Sequence, residues 1–335
     1  MIKTPKNNWI EVSEDATRQY IDAQAVFTAH EEAIRASVEV RGGMYWKTQG
    51  HTDYLIRTST RNSQKSLGPR TAETEAIYQK FTSRKTDSEQ RLTDLTTELV
   101  RHQRMNRALH VGHAPKLLVD ILSKITKAGL SDYFSVVGTH SLYAYEAAAA
   151  VRFSDDALAT RDVDLMWDIR KRLSFLTQMH RLDSSMLSLL QKVDSTFRLR
   201  SNQGYTAVNS KGFEVDIIRR EVRDNDPHPA RLTDTDEDFF AVPVDHLERL
   251  QSGKRFSQMI VSTTGHMARM NTVHPLLFAT HKRWMSEQAS REPLKRRRDL
   301  LQANMVGELV DNYLPHLLEM PFITKKSPDG CHQGI

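Results

Sequence analysis

Two apolar segments that carry aspartates where a strand would bury them constrain this chain more than any other feature. In Arg161–Asp168 (RDVDLMWD), Asp162 and Asp164 stand two apart, so on a strand they share one face while Val163 and Leu165 take the other. In Phe213–Ile218 (FEVDII), Asp216 sits among apolar residues, an expensive place for a carboxylate without a partner. Carboxylate oxygens suit hard divalent cations. Two such ions ~4 Å apart can stabilise both the attacking and the leaving oxygen of a displacement at phosphorus. That chemistry asks a protein mainly for positioning and charge neutralisation. Asp224-Asn225-Asp226 and Asp234-Thr235-Asp236 repeat the D-x-D spacing, but in polar stretches where aspartates cap turns.

Upstream, VVGTHS (Val136 to Ser141) reads as a strand, a glycine and a helix start. Gly138 lets the backbone approach a phosphate, the helix start offers N–H groups, and Thr139 and Ser141 add hydroxyls. The competing reading is an ordinary strand-to-helix turn with Thr139 as N-cap. Downstream, Lys282, Arg283, Lys295, Arg296, Arg297, Arg298 and Asp299 lie on or near two helices. A cationic helix beside the core can hold a triphosphate or an acceptor backbone; a solvated basic face is the alternative. Lys282 and Lys295, then Arg298, are the expected phosphate contacts, with Asp299 orienting a neighbouring cation. Trp46, Lys47, Tyr54, Arg57 and Arg70 mix aromatic and basic side chains around a turn. Such a mix can clamp nucleic acid, and a hairpin packed on helices is the reading preferred. His140, His274 and His281 lack zinc spacing and are assigned to no metal. Glu146 is expected to be structural or part of an ion pair.

The 335 residues exceed one average domain. A net charge of +5 permits a polyanionic partner without requiring one. The one cysteine, Cys331, excludes an internal disulfide and a multi-cysteine metal site. The N-terminal residues lack the apolar stretch of a signal peptide, and no run approaches the ~18 apolar residues of a membrane span. A cytoplasmic protein with no membrane partner is therefore expected.

Along the chain, residues 10–40 read as a helix with Ile21, Ala25, Val26, Ile34 and Val38 on its apolar face, stopped by Gly42 and Gly43. A β-hairpin follows near 44–58, then a basic loop from Ser63 to Arg70. Residues 71–107 and 114–129 read as helices, and Lys171 to Phe197 as one more. A hairpin turning at Asn209–Gly212, another hairpin or strand in 256–273, a helix opened by His274-Pro275 and a helix over 295–312 complete the pattern. The expected division is a helical N-terminal region over 1–130, a core over 131–273, C-terminal helices over 274–320 and a disordered tail over 321–335.

Taken together, G-T-H-S-L-Y-A-Y-E, R-D-V-D-L-M-W-D and F-E-V-D-I-I resemble the DNA polymerase beta-like nucleotidyltransferase superfamily, and more narrowly a bacterial family of nucleotidyltransferase-fold proteins. The likeness extends through HPLLFATHKRWMSEQASREPLKRRRDLLQA and upstream to DYLIRT and SLGPRTAETEAIYQKF, covering most of residues 42–312. It implies an α+β fold, a mixed sheet flanked by helices with helical additions at both ends. It implies Asp162 and Asp164 as ligands of Mg²⁺ or Mn²⁺, Asp216 as the third carboxylate, a further metal ligand or the base toward the acceptor hydroxyl, and Gly138 and Thr139 beside the triphosphate. Two departures stand out: a longer stretch between Thr139 and Asp162, and Thr139 where serine or glycine is usual. The expected activity is transfer of a nucleoside monophosphate from an NTP such as ATP to an acceptor hydroxyl. The acceptor favoured is RNA, tRNA ends included; a toxin that modifies tRNA, a protein or small-molecule modifier, and a catalytically silent nucleotide-binding module are the alternatives. A last reading makes the D-x-D and FEVDII segments unrelated strands of a helical binding protein.

Overall fold

Alternating or continuous apolar runs bounded by glycine, asparagine and proline make the strands of this chain, and the longer amphipathic stretches make its helices. The structure is a computed structural model, and it describes residues 9–60, 63–158, 160–223, 226–235 and 237–318. Cys331, the expected tail over 321–335 and the decoy residues Asp224, Asn225 and Asp236 lie outside them. The chain divides into two units, one of Glu14–Val111 and one of Met1–Ser13 with Gly112–Ile335. The expected boundary at 130 therefore falls earlier, at Gly112.

The first strand, β1 (Trp9–Glu11), belongs to the larger unit. The smaller unit holds α1 (Glu14–Ser37), the strands β2 (Gly43–Gln49), β3 (Thr52–Thr58) and β4 (Gln64–Pro69), and α2 (Ala72–Ala108). Its sheet is a three-stranded antiparallel meander, β2-β3-β4, where a two-stranded hairpin was expected. The segment from Ser63 to Arg70 is not a loop, because backbone pairing with β3 draws its polar residues into a strand. Helix α1 also turns a different face inward. Ile21, Ile34 and Val38 are exposed, and Ala16, Gln19, Ala23, Phe27 and Ala33 are buried. Small alanines let α1 and α2 approach closely. Gln19 bridges them, donating from Nε2 to Asn106 Oδ1 at 3.0 Å and lying 2.9 Å from His102 Nδ1.

The larger unit continues with α3 (Lys116–Lys127), β5 (Phe134–Val137), α4 (Leu142–Ala149), β6 (Val151–Phe153), α5 (Asp155–Leu158) and β7 (Asp162–Trp167). Next come α6 (Arg172–Leu182), α7 (Met186–Gln191), β8 (Arg198–Arg200), β9 (Gln203–Val208) and β10 (Glu214–Arg219). The last elements are β11 (Ala230–Arg231), β12 (Phe240–Pro243), α8 (Leu247–Ser252), β13 (Phe256–Val261), β14 (Met267–Thr272), α9 (Pro275–Glu287) and α10 (Pro293–Tyr313). The single helix expected from Lys171 to Phe197 is two helices, broken where Asp183 turns left-handed at φ +47°.

The main sheet runs β11-β12-β10-β7-β5-β14-β13, with β9 also on β10 and β8 on β9. It is mixed: β7 lies parallel to β10 and antiparallel to β5, and β5 lies parallel to β14. This is the α+β arrangement expected from the sequence, a mixed sheet flanked by helices. One continuous core packs against it, in which Trp167, Phe175, Phe197 and Tyr145 are fully buried. Trp167 and Phe134 meet Phe175 at ring-centroid distances of 5.3 and 5.7 Å. Each such ring buried contributes about 1.5–3 kcal/mol or more. A short outer pair, β1 with β6, was not legible in the sequence because each strand spans three residues.

Candidate active site

Strand geometry places the carboxylates. On β7 the exposed Asp162 and half-buried Asp164 share a face, while Val163 and Leu165 are fully buried on the other. Strand β10 lies beside β7 in parallel register, Asp216 opposite Asp164 and Glu214 opposite Asp162. Four acidic side chains therefore form a two-by-two array on one sheet face, since register partners point the same way. The two segments are hydrogen-bonded neighbours, which removes the reading of them as unrelated strands. Glu214 was missed in the sequence, although its i, i+2 relation to Asp216 carries the same signal. It pairs with Arg200 of β8.

Gly138 closes one side of this array. Its φ of +71° is left-handed, and a β-carbon there would stand 2.7 Å from Asp164 Oδ2. A glycine is required at this place for both reasons. Val137, just before it, is the register partner of Asp164 across β5–β7. The chain then turns through a short 3-10 segment, Gly138–Ser141, into α4, and the cap expected of Thr139 is not made. Thr139 is buried and accepts a hydrogen bond at 3.1 Å from Gln302 of α10. Ser141 donates to the Val136 carbonyl at 3.3 Å and ties the turn to its own strand.

The acidic array opens into a cavity of about 250 Å³. Gly138, Thr139, Asp162 and Asp164 form one part of its wall, and Lys282, Arg291, Lys295 and Arg298 form another. Val244, Leu247, Leu250, Phe278 and Met285 make a third, apolar part. Asp216 and Ser141 are not on this wall. Lys282, the preferred phosphate contact, is buried and donates to Asp299 Oδ1 at 2.7 Å. Arg291 donates to the other oxygen of Asp299 at 2.9 Å. Asp299 has no solvent exposure and so orients two cations, as its sequence position suggested. Arg291 was not singled out in the sequence, because it lies in the linker between two helices and only the fold turns it inward. Lys295 is exposed and lies 3.3 Å from Glu292.

Charge and burial act together on these groups. Burial first, then the charges of Asp162 and Asp216, push Asp164 up to about 7, with Lys282 and Arg291 opposing. Burial also raises Asp216, against a 2.5 Å hydrogen bond from Thr206 that favours its charged form. Burial lowers Lys282, and Asp299 works the other way.

The remaining expected residues are accounted for by packing. His140 is buried against Tyr143 and Phe213, and burial lowers it to about 4. His274 caps α9, its Nδ1 accepting from the Leu276 N–H at 3.3 Å. Glu146 accepts from the Phe153 N–H at 2.5 Å and meets His113 at 3.1 Å, which anchors β6. In the smaller unit, Arg70 lies 5.0 Å over the Trp46 ring and pairs with Asp53 and Glu75. Arg57 lies 4.2 Å over Phe81 and donates to the carbonyls of Arg41, Gly43 and Thr58. These two arginines are held within the unit, as the packed-hairpin reading expected.

Among the described residues, no three His, Cys, Asp or Glu side chains form a ready metal cage. Mg²⁺ seldom uses one. It is commonly held by one or two carboxylates, with water and substrate phosphate completing the octahedron. A pair of hard-oxygen donors, Asp162 and Asp164, with repelling charge that a cation would relieve, fits that pattern. No helix among the described residues is long and apolar enough to cross a membrane. Residues 116–322 match the family model described as nucleotidyltransferase. No curated protein and no solved structure matches the chain.

Proposed function

Because the chain belongs to the nucleotidyltransferase family, we propose that it transfers a nucleoside monophosphate from a nucleoside triphosphate to an acceptor hydroxyl, the α-phosphorus bonding the acceptor oxygen as pyrophosphate leaves, with Mg²⁺ or Mn²⁺ held by Asp162 and Asp164. The observation that carries this reading is the register of β7 on β10, with Gly138 opposite, which sets Asp162 and Asp164 on the wall of a cation-lined cavity with Asp216 beside them on the next strand. When bound, a divalent ion supplies charge neutralisation on the phosphates and lowers the pKa of a coordinated hydroxyl. The chain supplies the rest. Lys282, Arg291, Lys295 and Arg298 orient the triphosphate and offset its charge. Asp299 holds the first two of these in place. Asp216, off the cavity wall and hydrogen-bonded by Thr206, faces the β9 side and receives the proton of the acceptor hydroxyl at its carboxylate.

RNA is the acceptor we favour, on the net charge of +5 and on the basic run Arg296-Arg297 beside the cavity residue Arg298. The test is incubation with each of four α-labelled triphosphates, Mg²⁺ or Mn²⁺, and total RNA or protein. Labelled RNA is expected, and its loss in Asp164→Asn. Triphosphate that stays unconsumed under every combination would overturn the reading.

A further inference from the structure

The apolar third of the cavity has no task in triphosphate binding. It is built from two helices and a strand end. On α9, Phe278, His281, Lys282 and Met285 follow the i, i+3, i+4, i+7 rule and present one stripe to the cavity. Leu247 and Leu250 of α8, three apart, face it, and Val244 after β12 completes the wall. Lys282 marks where this wall meets the cationic one, and Asp164 senses its charge. A ligand whose phosphates lie along Lys282, Arg291 and Lys295 thus has its uncharged end against Phe278, Met285 and the α8 leucines.

One neutral polar side chain stands in this wall. His281 is half-buried, and its ring nitrogens have no hydrogen-bond partner among the described residues. Its ring lies against Trp284, with centroids 5.8 Å apart and planes 30° from parallel, and His246 meets the same indole at 4.0 Å. Burial lowers its pKa to about 4, so at neutral pH the imidazole offers one donor and one acceptor. The two other uncharged polar side chains on the cavity wall are engaged: Thr139 with Gln302, and Thr160 with Asp162. Lining of this kind, mostly apolar with one placed polar group, suits a flat heterocycle.

We infer that the α8–α9 end of the cavity is the nucleobase subsite, and that His281 is its specificity-determining residue, reading the edge of the base. This rests on the proposed transferase reading, and assigns the incoming nucleotide to the cavity and the acceptor to the Asp216 side. A lost neutral hydrogen bond in a buried site is worth roughly a factor of ten in affinity.

The experiment is calorimetric titration of the full-length protein, with Mg²⁺, using inorganic tripolyphosphate and the four α,β-methylene nucleoside triphosphates. Expected is binding of tripolyphosphate, tighter binding of nucleotides, and a preference among the four bases. In His281→Ala, tripolyphosphate should bind as before, which also certifies the fold, while the preferred base loses ~10-fold and the preference collapses. His281→Gln, which keeps a donor and an acceptor, should keep a preference or change which base is favoured. Nucleotides that bind no tighter than tripolyphosphate, or a base preference untouched in both variants, would overturn the base subsite and leave the transferase reading standing. Failure of tripolyphosphate and nucleotides alike would overturn both.

Discussion

Gly138 and Asp164 illustrate how two residues limit each other. Replacing Gly138 with alanine puts a β-carbon at φ +71° and 2.7 Å from the Asp164 carboxylate. The left-handed backbone alone costs on the order of 1 kcal/mol. The carboxylate must also move, so Gly138→Ala should lower the melting temperature by several degrees and reduce transfer far more than the stability loss explains. Asp164 itself makes stability depend on pH. Its folded value of about 7 lies above its ordinary 3.8, so the folded state holds that proton more tightly than the unfolded one. The stability this confers is complete below about pH 4 and is lost as pH rises to about 7. Without metal, Asp164→Asn should match the wild type near pH 4 and exceed it above pH 7 by more than about 1 kcal/mol. Urea melts at pH 4, 6 and 8 check this, and parallel curves across that range would contradict it. Adding Mg²⁺ should raise the melting temperature of the wild type and hardly move the variant.

At the scale of elements, the joint between α9 and α10 is electrostatic. Asp299 on α10 binds Lys282 on α9 and Arg291 in the linker, and neither Asp299 nor Lys282 is appreciably exposed. Breaking one partner of a buried pair leaves the other charge stranded. Asp299→Asn should therefore cost about 3 kcal/mol, read as a shifted urea midpoint. The double change Asp299→Leu with Lys282→Met removes the fully buried pair, leaves only the part-exposed Arg291 without its carboxylate, and should recover most of that loss. It should still bind triphosphate weakly, which separates holding the helices together from holding the ligand. The same scale shows where helical periodicity misled. In α1 the larger apolar residues Ile21, Ile34 and Val38 read as the inner face, yet the alanine face packs on α2. Close helix approach favours small side chains, and a hydropathy stripe is blind to that distance.

For the whole molecule, the charge balance bears on the acceptor. If RNA is bound through about six phosphate contacts, affinity should fall by ~10³-fold between about 50 and 200 mM salt. Arg296→Ala with Arg297→Ala should flatten the logarithmic slope by about two. Arg298 lines the nucleotide cavity and is left out of that pair, because its loss would weaken triphosphate binding as well. Filter binding at four salt concentrations gives the slope, and a slope indifferent to the double change would point to a small-molecule or protein acceptor.

The sequence by itself determined what depends on neighbours along the chain. Asp162 and Asp164 share a face because side chains alternate on any strand, and the glycine before α4 was legible as the place where backbone could come close. Pairing of β9 with β10 was legible too, since the Asn209–Gly212 turn is local. What only the tertiary structure decided depends on residues far apart in sequence. The register that sets Asp216 and Glu214 beside Asp164 and Asp162 spans some fifty positions. The inward turn of Arg291, the burial of Lys282 on Asp299 and the apolar wall from α8 follow from helix packing, to which no short window of sequence responds. A strand's alternation is fixed by its own backbone, whereas its neighbours are chosen by the burial of the entire core.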